Sequence, residues 1–259
     1  LINAKMAPPL TISAGLPLAF GLVLTRVAGV FFFLPLPVRD ATPMLARAGF
    51  SLAATLALFP HWPEVDVRTF STGLFAVWVA GEAAFGLTAG LLVGFLAEFL
   101  TLGAQLIGLQ AGYGYASVVD PTTQADSEVL QVAARLTGGL LFFAFGLDGQ
   151  ILRALALSLQ IHPPGQFVLT RTIAATVLAL AANIFSLGLR LAFPVLGLLL
   201  LTEISLALVG RLSSSLQLGH SAAPIKMMLT LGTLAALLKI IPGLYLSYAG
   251  RLFEPLLSR

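Results

Sequence analysis

Residues 70–109 form one apolar stretch in which only Glu82 and Glu98 carry charge. As a helix it would measure roughly 60 Å, against a bilayer hydrocarbon core of about 30 Å. A second stretch, residues 167–209, is longer still. It contains Pro194, which is expected to kink it, and Arg190, which interrupts it. Such rods either break within a membrane or project beyond it into a protein environment. A simple bundle of bilayer spans fits poorly.

The remaining apolar runs cover residues 10–36, 41–59, 129–147 and 224–248, and prolines mark the joints. Mean hydropathy is +0.97, with 58% of residues hydrophobic and 10% charged. Soluble domains carry about 25% charged residues, so much of this surface needs lipid or partner protein as its solvent. The fold class expected is an all-α membrane protein, built of long kinked helical hairpins. No repeat or low-complexity linker divides it, so residues 1–259 read as one domain. The opening LINAKMAPPL has one lysine and no clean cleavage site, and does not read as a removable signal peptide. Lysine and arginine are spread over every connection, so charge bias leaves the topology open.

Net charge is +3, yet the arginines are scattered singly, with no cluster suited to a phosphate backbone, so nucleic acid is not an expected partner. There is no cysteine, which removes disulfides, thiolate metal sites and cysteine nucleophiles together. His61, His162 and His220 lie far apart in sequence, and no His/Glu pair has metal-ligand helical spacing. His220 beside Ser221 lacks a nucleophile elbow. Asp148-Gly149 with Arg153 faintly echoes phosphatidyl transferases, but the further aspartates do not follow. The expectation is a protein without catalytic residues, cofactor or metal.

Glu82, Gly86, Gly90, Gly94 and Glu98 recur every four residues, and Gly108 and Gly112 continue the theme. Glycines at that spacing leave a groove that lets a second backbone come close. A four-residue period advances about 40° per step, so the groove winds around its helix and favours a right-handed crossing.

Arg26, Glu82, Glu98, Arg135, Glu203, Lys226 and Lys239 fall within or beside apolar runs, where an unpartnered charge costs at least ~2.5–3.5 kcal/mol. If Pro224 opens a helix returning antiparallel from the turn at residues 213–221, Glu203 and Lys226 come within about one helical turn. An intramembrane ion pair is then expected there, with Arg211 anchoring the end. The alternative is that each charge snorkels separately or meets another subunit.

GAQLIGLQAGYGYASVVDPTT (residues 103–123), then LLFFAFGLDGQILRALALSL (140–159) and HPPGQ (162–166), resemble the FliR family, the R subunit of the flagellar type III export gate, whose injectisome counterpart is the T subunit. LTEISLALVGRLSSSLQLGHSAAPIKMM (201–228) extends the resemblance, which runs from about Phe95 to Ile241. Residues before that agree only in hydrophobicity. Ala111 stands where methionine is common in the family, leaving no thioether to seal there, and Gln150 stands where histidine is frequent. Glu203 occupies a position often held by Asn or an acid.

The resemblance implies a channel-forming subunit in the bacterial inner membrane, at the flagellar basal body. There it would join P and Q subunits (the FliP and FliQ families) and an FlhB-type switch protein in a hetero-oligomeric export gate that passes unfolded export substrates. Such assemblies stand partly above the membrane plane, which would accommodate overlong helices. It also implies that the glycine-rich stretch projects into the conduit and helps to plug it. The candidate plug comprises Gln110, Gly112, Tyr113, Gly114, Tyr115, Ala116, Ser117, Asp120 and Pro121. Its physical character agrees: glycines, Gly108 included, allow movement, and tyrosines present bulky amphipathic rings. Asp120-Pro121 suits a turn, and Asp126 or Ser127 could cap a helix opening at Glu128. An injectisome gate subunit and a solute transporter, in which broken helices and buried charges also occur, remain open alternatives at this point.

Overall fold

The computed structural model describes residues 15–35, 43–65, 71–113, 129–165, 167, 170–212 and 218–257. The described residues are helical throughout apart from joints: α1 Leu16–Phe33, α2 Met44–Ala57, a 3₁₀ turn Phe59–His61, α3 Thr72–Ala111, α4 Val129–Ala144, α5 Leu147–Ile161, α6 Arg171–Leu212, α7 Leu218–Leu237 and α8 Ile241–Leu257. This is an all-α membrane protein.

Local chemistry sets several boundaries. The Ser71 hydroxyl accepts from Leu74 N–H at 3.2 Å and opens α3, while Thr170 accepts from Ile173 N–H at 3.3 Å and opens α6; each satisfies one of the orphan donors of a first turn. Gly112, at φ 84°, closes α3 in the left-handed region, where glycine pays no Cβ penalty. Within the helices, hydroxyls such as Thr55, Thr88, Thr202 and Thr230 donate to the carbonyl four residues back. That disposes of their polarity without an outside partner.

α3 is the axis of the molecule, with α1, α4, α6, α7 and α8 packed on it. The core runs through Val23, Val27, Leu92, Leu96, Phe99, Phe142 and Leu155. A second, smaller cluster of Ile107, Ala111, Leu130, Val195 and Leu199 lies around the far end of α3. Two buried tyrosines lock α8 in place: Tyr245 donates to the Gly138 carbonyl at 3.0 Å and Tyr248 to Leu180 at 3.2 Å.

Both overlong helices are unbroken: α3 has 40 residues and α6 has 42. Pro194 sits inside α6 on its exposed side without breaking it. The sharp bends lie elsewhere, 64° between α4 and α5 and 57° between α7 and α8. Gly146, at φ 63°, makes the first of these bends possible. α1, α3 and α6 are long and apolar enough to cross a membrane, and each bent pair could supply one further span. In the most apolar part of α6 only 17% of residues are buried, against 50% for α3. Leu178, Phe185, Phe193, Leu201 and Leu208 all stand exposed along it. A stripe of that kind requires lipid or another protein against it.

Candidate functional site

The far end of α3, where the glycine-rich stretch departs, is tied down by a polar knot. Glu203 on α6 meets Lys226 on α7, Oε1 to Nζ, at 2.6 Å. Lys226 Nζ also donates to the backbone carbonyl of Gln110 at 3.2 Å, and the Gln110 side-chain amide donates to Glu203 Oε2 at 3.1 Å. One turn on, the Tyr113 hydroxyl donates to the Met227 carbonyl at 3.4 Å. The last carbonyls of a helix have no partners within it and carry its negative dipole end. A lysine there satisfies both needs, and Glu203 balances the lysine.

The sequence placed Glu203 and Lys226 within a turn of each other, and the structure brings them together by a different local route. α7 begins at Leu218, so Pro224 lies inside that helix and does not open it. Arg211 lies exposed on the last turn of α6, while Glu203 turns toward Lys226 and Gln110. Gln110, expected in a mobile plug, belongs to the last turn of α3, and Gly108 is likewise buried within α3, its carbonyl accepting from Tyr113 N–H at 3.2 Å. Gly112 is the left-handed residue that caps the helix end. Gly114, Tyr115, Ala116, Ser117, Asp120 and Pro121 lie outside the described residues, as do Asp126, Ser127 and Glu128.

The glycine period of α3 receives α1. A Cβ on Gly86 would stand 2.3 Å from the Arg26 carbonyl oxygen, and one on Gly90 would stand 2.6 Å from the Gly29 carbonyl. Gly29 on α1 faces Gly86 in turn, and Gly94 continues the crossing against Phe33. A second close approach pairs Gly103 of α3 with Gly188 of α6. Glu98 falls on the exposed side of α3, away from this groove.

A second ion pair sits at the other end of the groove. Arg26 Nε donates to Glu82 Oε2 at 2.5 Å and Nη2 to Oε1 at 3.1 Å, with both side chains fully buried. Two further guanidinium hydrogens reach the Ser158 hydroxyl at 3.1 Å and the His162 carbonyl at 2.9 Å. Glu82 accepts a third bond from Gly165 N–H at 3.1 Å, and Phe85 lies under the guanidinium at 4.5 Å. α1, α3, α5 and the following loop are thereby joined by one hydrogen-bonded network. In the sequence Arg26 and Glu82 stand out as charges within apolar runs, but nothing there pairs them. The usable signal was that each begins a small-residue spacing, Arg26 with Gly29 and Glu82 with Gly86.

A cavity of about 350 Å³ lies between α3, α4, α6, α7 and α8. Its lining is aliphatic, with Leu100, Ile107, Leu130 and Leu234 among it and the Thr137 hydroxyl as its polar side chain. It offers no convergent set of groups for bond chemistry.

Residues 18–252 match the family described as bacterial export proteins, family 1. The chain belongs to this family. Among its relatives, the flagellar biosynthetic protein FliR of Escherichia coli is 27% identical over 219 residues, 84% of this chain and 83% of that one. FliR of Caulobacter vibrioides is 28% identical over 215 residues, 83% and 86% of the two chains. FliR of Aquifex aeolicus is 27% identical over 188 residues, 72% of each. The export-family match reaches well before Phe95, where sequence reading found shared hydrophobicity alone. It takes in nearly all of α1, the glycine groove and both ion pairs. An export-family membrane protein works within an apparatus of other components.

Proposed function

We propose that this chain is a channel-forming subunit of a flagellar type III protein export gate in the bacterial inner membrane at the basal body, and that the glycine-rich stretch after α3 helps to plug the closed channel. The gate would be completed by P and Q subunits and an FlhB-type switch protein, and its cargo would be unfolded flagellar proteins. The chain contributes wall and stopper, not catalysis; energy for transport comes from elsewhere.

The observation that carries this reading is the knot at the end of α3. A segment that must fill a bore under load needs a fixed root, and Gln110 and Tyr113 are moored to α6 and α7 by three hydrogen bonds at 3.1–3.4 Å. The relatives' shared name as flagellar biosynthetic proteins favours the flagellar form over an injectisome. The unbroken lengths of α3 and α6, roughly twice the hydrocarbon thickness, suit a gate that rises out of the membrane plane.

Deleting residues 112–117 tests it. The gate should still assemble and co-purify with its partners, while cells or vesicles carrying it leak ions and small solutes at rest. An assembled deletion gate as tight as the parent would overturn the plug.

A further inference from the structure

Arg190 poses on α6 the problem that Glu82 solves for Arg26, and no described residue solves it there. It lies at the middle of a mostly apolar helix of 42 residues. Its side chain is exposed and makes no hydrogen bond or ion pair with any described residue. The buried face of α6, with Gly188, Leu191, Val195 and Leu199, packs on α3 and the core. At about 100° per residue Arg190 projects from the opposite side, with exposed Phe193 and Leu201 beside it. Asn183, two turns back on that side, is also exposed, and its side chain is unpartnered among the described residues.

Lipid alone does not account for this face. α6 is about twice as long as the hydrocarbon is thick, so a bilayer covers half of its exposed apolar stripe and leaves the other half in water. A phosphate headgroup meets Arg190 only where the membrane ends at that level. Leu178 and Phe185 on one side of it, or Leu200 and Leu208 on the other, would then stand bare. Deeper in hydrocarbon the arginine itself needs a protein partner. Protein is required in either placement, and the charge says of what kind. A guanidinium fork is matched by a carboxylate, as Arg26 is by Glu82.

We propose that the outward face of α6 centred on Arg190 receives a helix of a different subunit, apolar along its length and carrying an aspartate or glutamate at the level of Arg190. The Asn183 amide, on the same side, bonds to that helix as well. A second copy of this chain fits poorly. α6 against α6 about a two-fold axis at that level sets Arg190 against Arg190, and Glu203, the one acid on α6, is engaged by Lys226 and Gln110. The proposal deepens the gate reading by giving the chemistry of one partner, and rests on that reading for the partner's source.

Complexes purified gently from membranes test it. Arg190→Glu should lower co-purification of the contacting subunit at least about tenfold, and Arg190→Met by less, since reversal adds repulsion to the lost pair. Arg190→Lys should fall between Met and the parent, keeping the charge but not the fork. The isolated full-length chain in detergent should melt at the parent temperature in all three. A lowered melting midpoint there would overturn the proposal, because Arg190 would then serve this chain's own fold.

A photoreactive benzoylphenylalanine in place of Phe193 identifies the neighbour. The adduct should be a different subunit, joined within an apolar segment that contains an acid, and changing that acid to arginine should restore co-purification with Arg190→Glu. An adduct with lipid alone, with a second copy of this chain or with a segment lacking an acid would overturn the proposal. So would an exchange that fails to rescue. If the exchange rescues while the 112–117 deletion gate stays tight, the α6 contact stands and the plug falls. If the deletion leaks while Arg190→Glu assembles like the parent, the plug stands and the α6 contact falls.

Discussion

Arg26 Nε lies 2.5 Å from Glu82 Oε2 with neither side chain reaching solvent, which makes this pair the fixed point from which α1, α3 and α5 take their relative positions. Removing one partner should be worse than removing both. Glu82→Gln leaves a buried guanidinium uncompensated and should cost about 3–5 kcal/mol, whereas Arg26→Met with Glu82→Leu should cost less, about 1–3 kcal/mol, for the Gly165 N–H and His162 carbonyl left without their partners. The steady-state level in membranes and the melting midpoint of the purified complex measure both. Equal damage from the single and double variants would mean that the charges serve something beyond packing.

The glycine groove predicts a change of sign between positions. Alanine is favoured over glycine within a helix by about 1 kcal/mol. At Gly86, however, the new methyl would press on the Arg26 carbonyl at 2.3 Å, and backbone cannot rotate aside. Gly86→Ala should therefore be net destabilising, by roughly 1–3 kcal/mol from overpacking. Gly197→Ala in α6, with nothing within 4 Å, should be neutral or slightly stabilising in the isolated chain in detergent. Comparable melting shifts of the same sign would contradict the close approach of α1 to α3.

The period of Glu82, Gly86, Gly90 and Gly94 makes a close backbone approach to α3 legible, because such a contact leaves its mark as missing side chains, but it does not say that α1 supplies it. The Glu203–Lys226 contact was legible because its residues flank one short connection. Arg26 and Glu82 were visible only as charges in the wrong place, since 56 residues separate them and nothing local fixes which helices meet. The stretch GLQAGYG reads as flexible and so places Gln110 in the loop. In the fold, its hydrogen bonds to Glu203 and Lys226 carry the helix through to Ala111. Pro224 suggests a helix start, but α7 begins six residues earlier at Leu218. Proline is tolerated in that first stretch of helix at modest cost when neighbours satisfy the freed carbonyl.

Gly165 should tolerate no side chain. It has φ 87°, a region that costs other residues about 1–2 kcal/mol. An added Cβ would also stand 2.5 Å from the Trp78 indole. Its N–H holds Glu82, so displacement would loosen the buried network too. Gly165→Ala should lower the melting midpoint more than Gly149→Ala, where nothing lies within 4 Å.

The last prediction concerns how α8 is held. Tyr245 is fully buried, and its hydroxyl donates to the carbonyl of Gly138 at 3.0 Å. Gly138 lies inside α4, so that carbonyl also serves the helix ladder and is not orphaned when the tyrosine hydroxyl is lost. Tyr245→Phe should therefore cost only about 1 kcal/mol, the net worth of a single hydrogen bond. Tyr245→Ala removes a ring packed against Phe99 and Phe145 and should cost about 3–5 kcal/mol through the cavity left behind. Thermal melting of the two variants against the parent separates these contributions. If Phe proved as damaging as Ala, the hydroxyl rather than the ring would be what fastens α8 to α4.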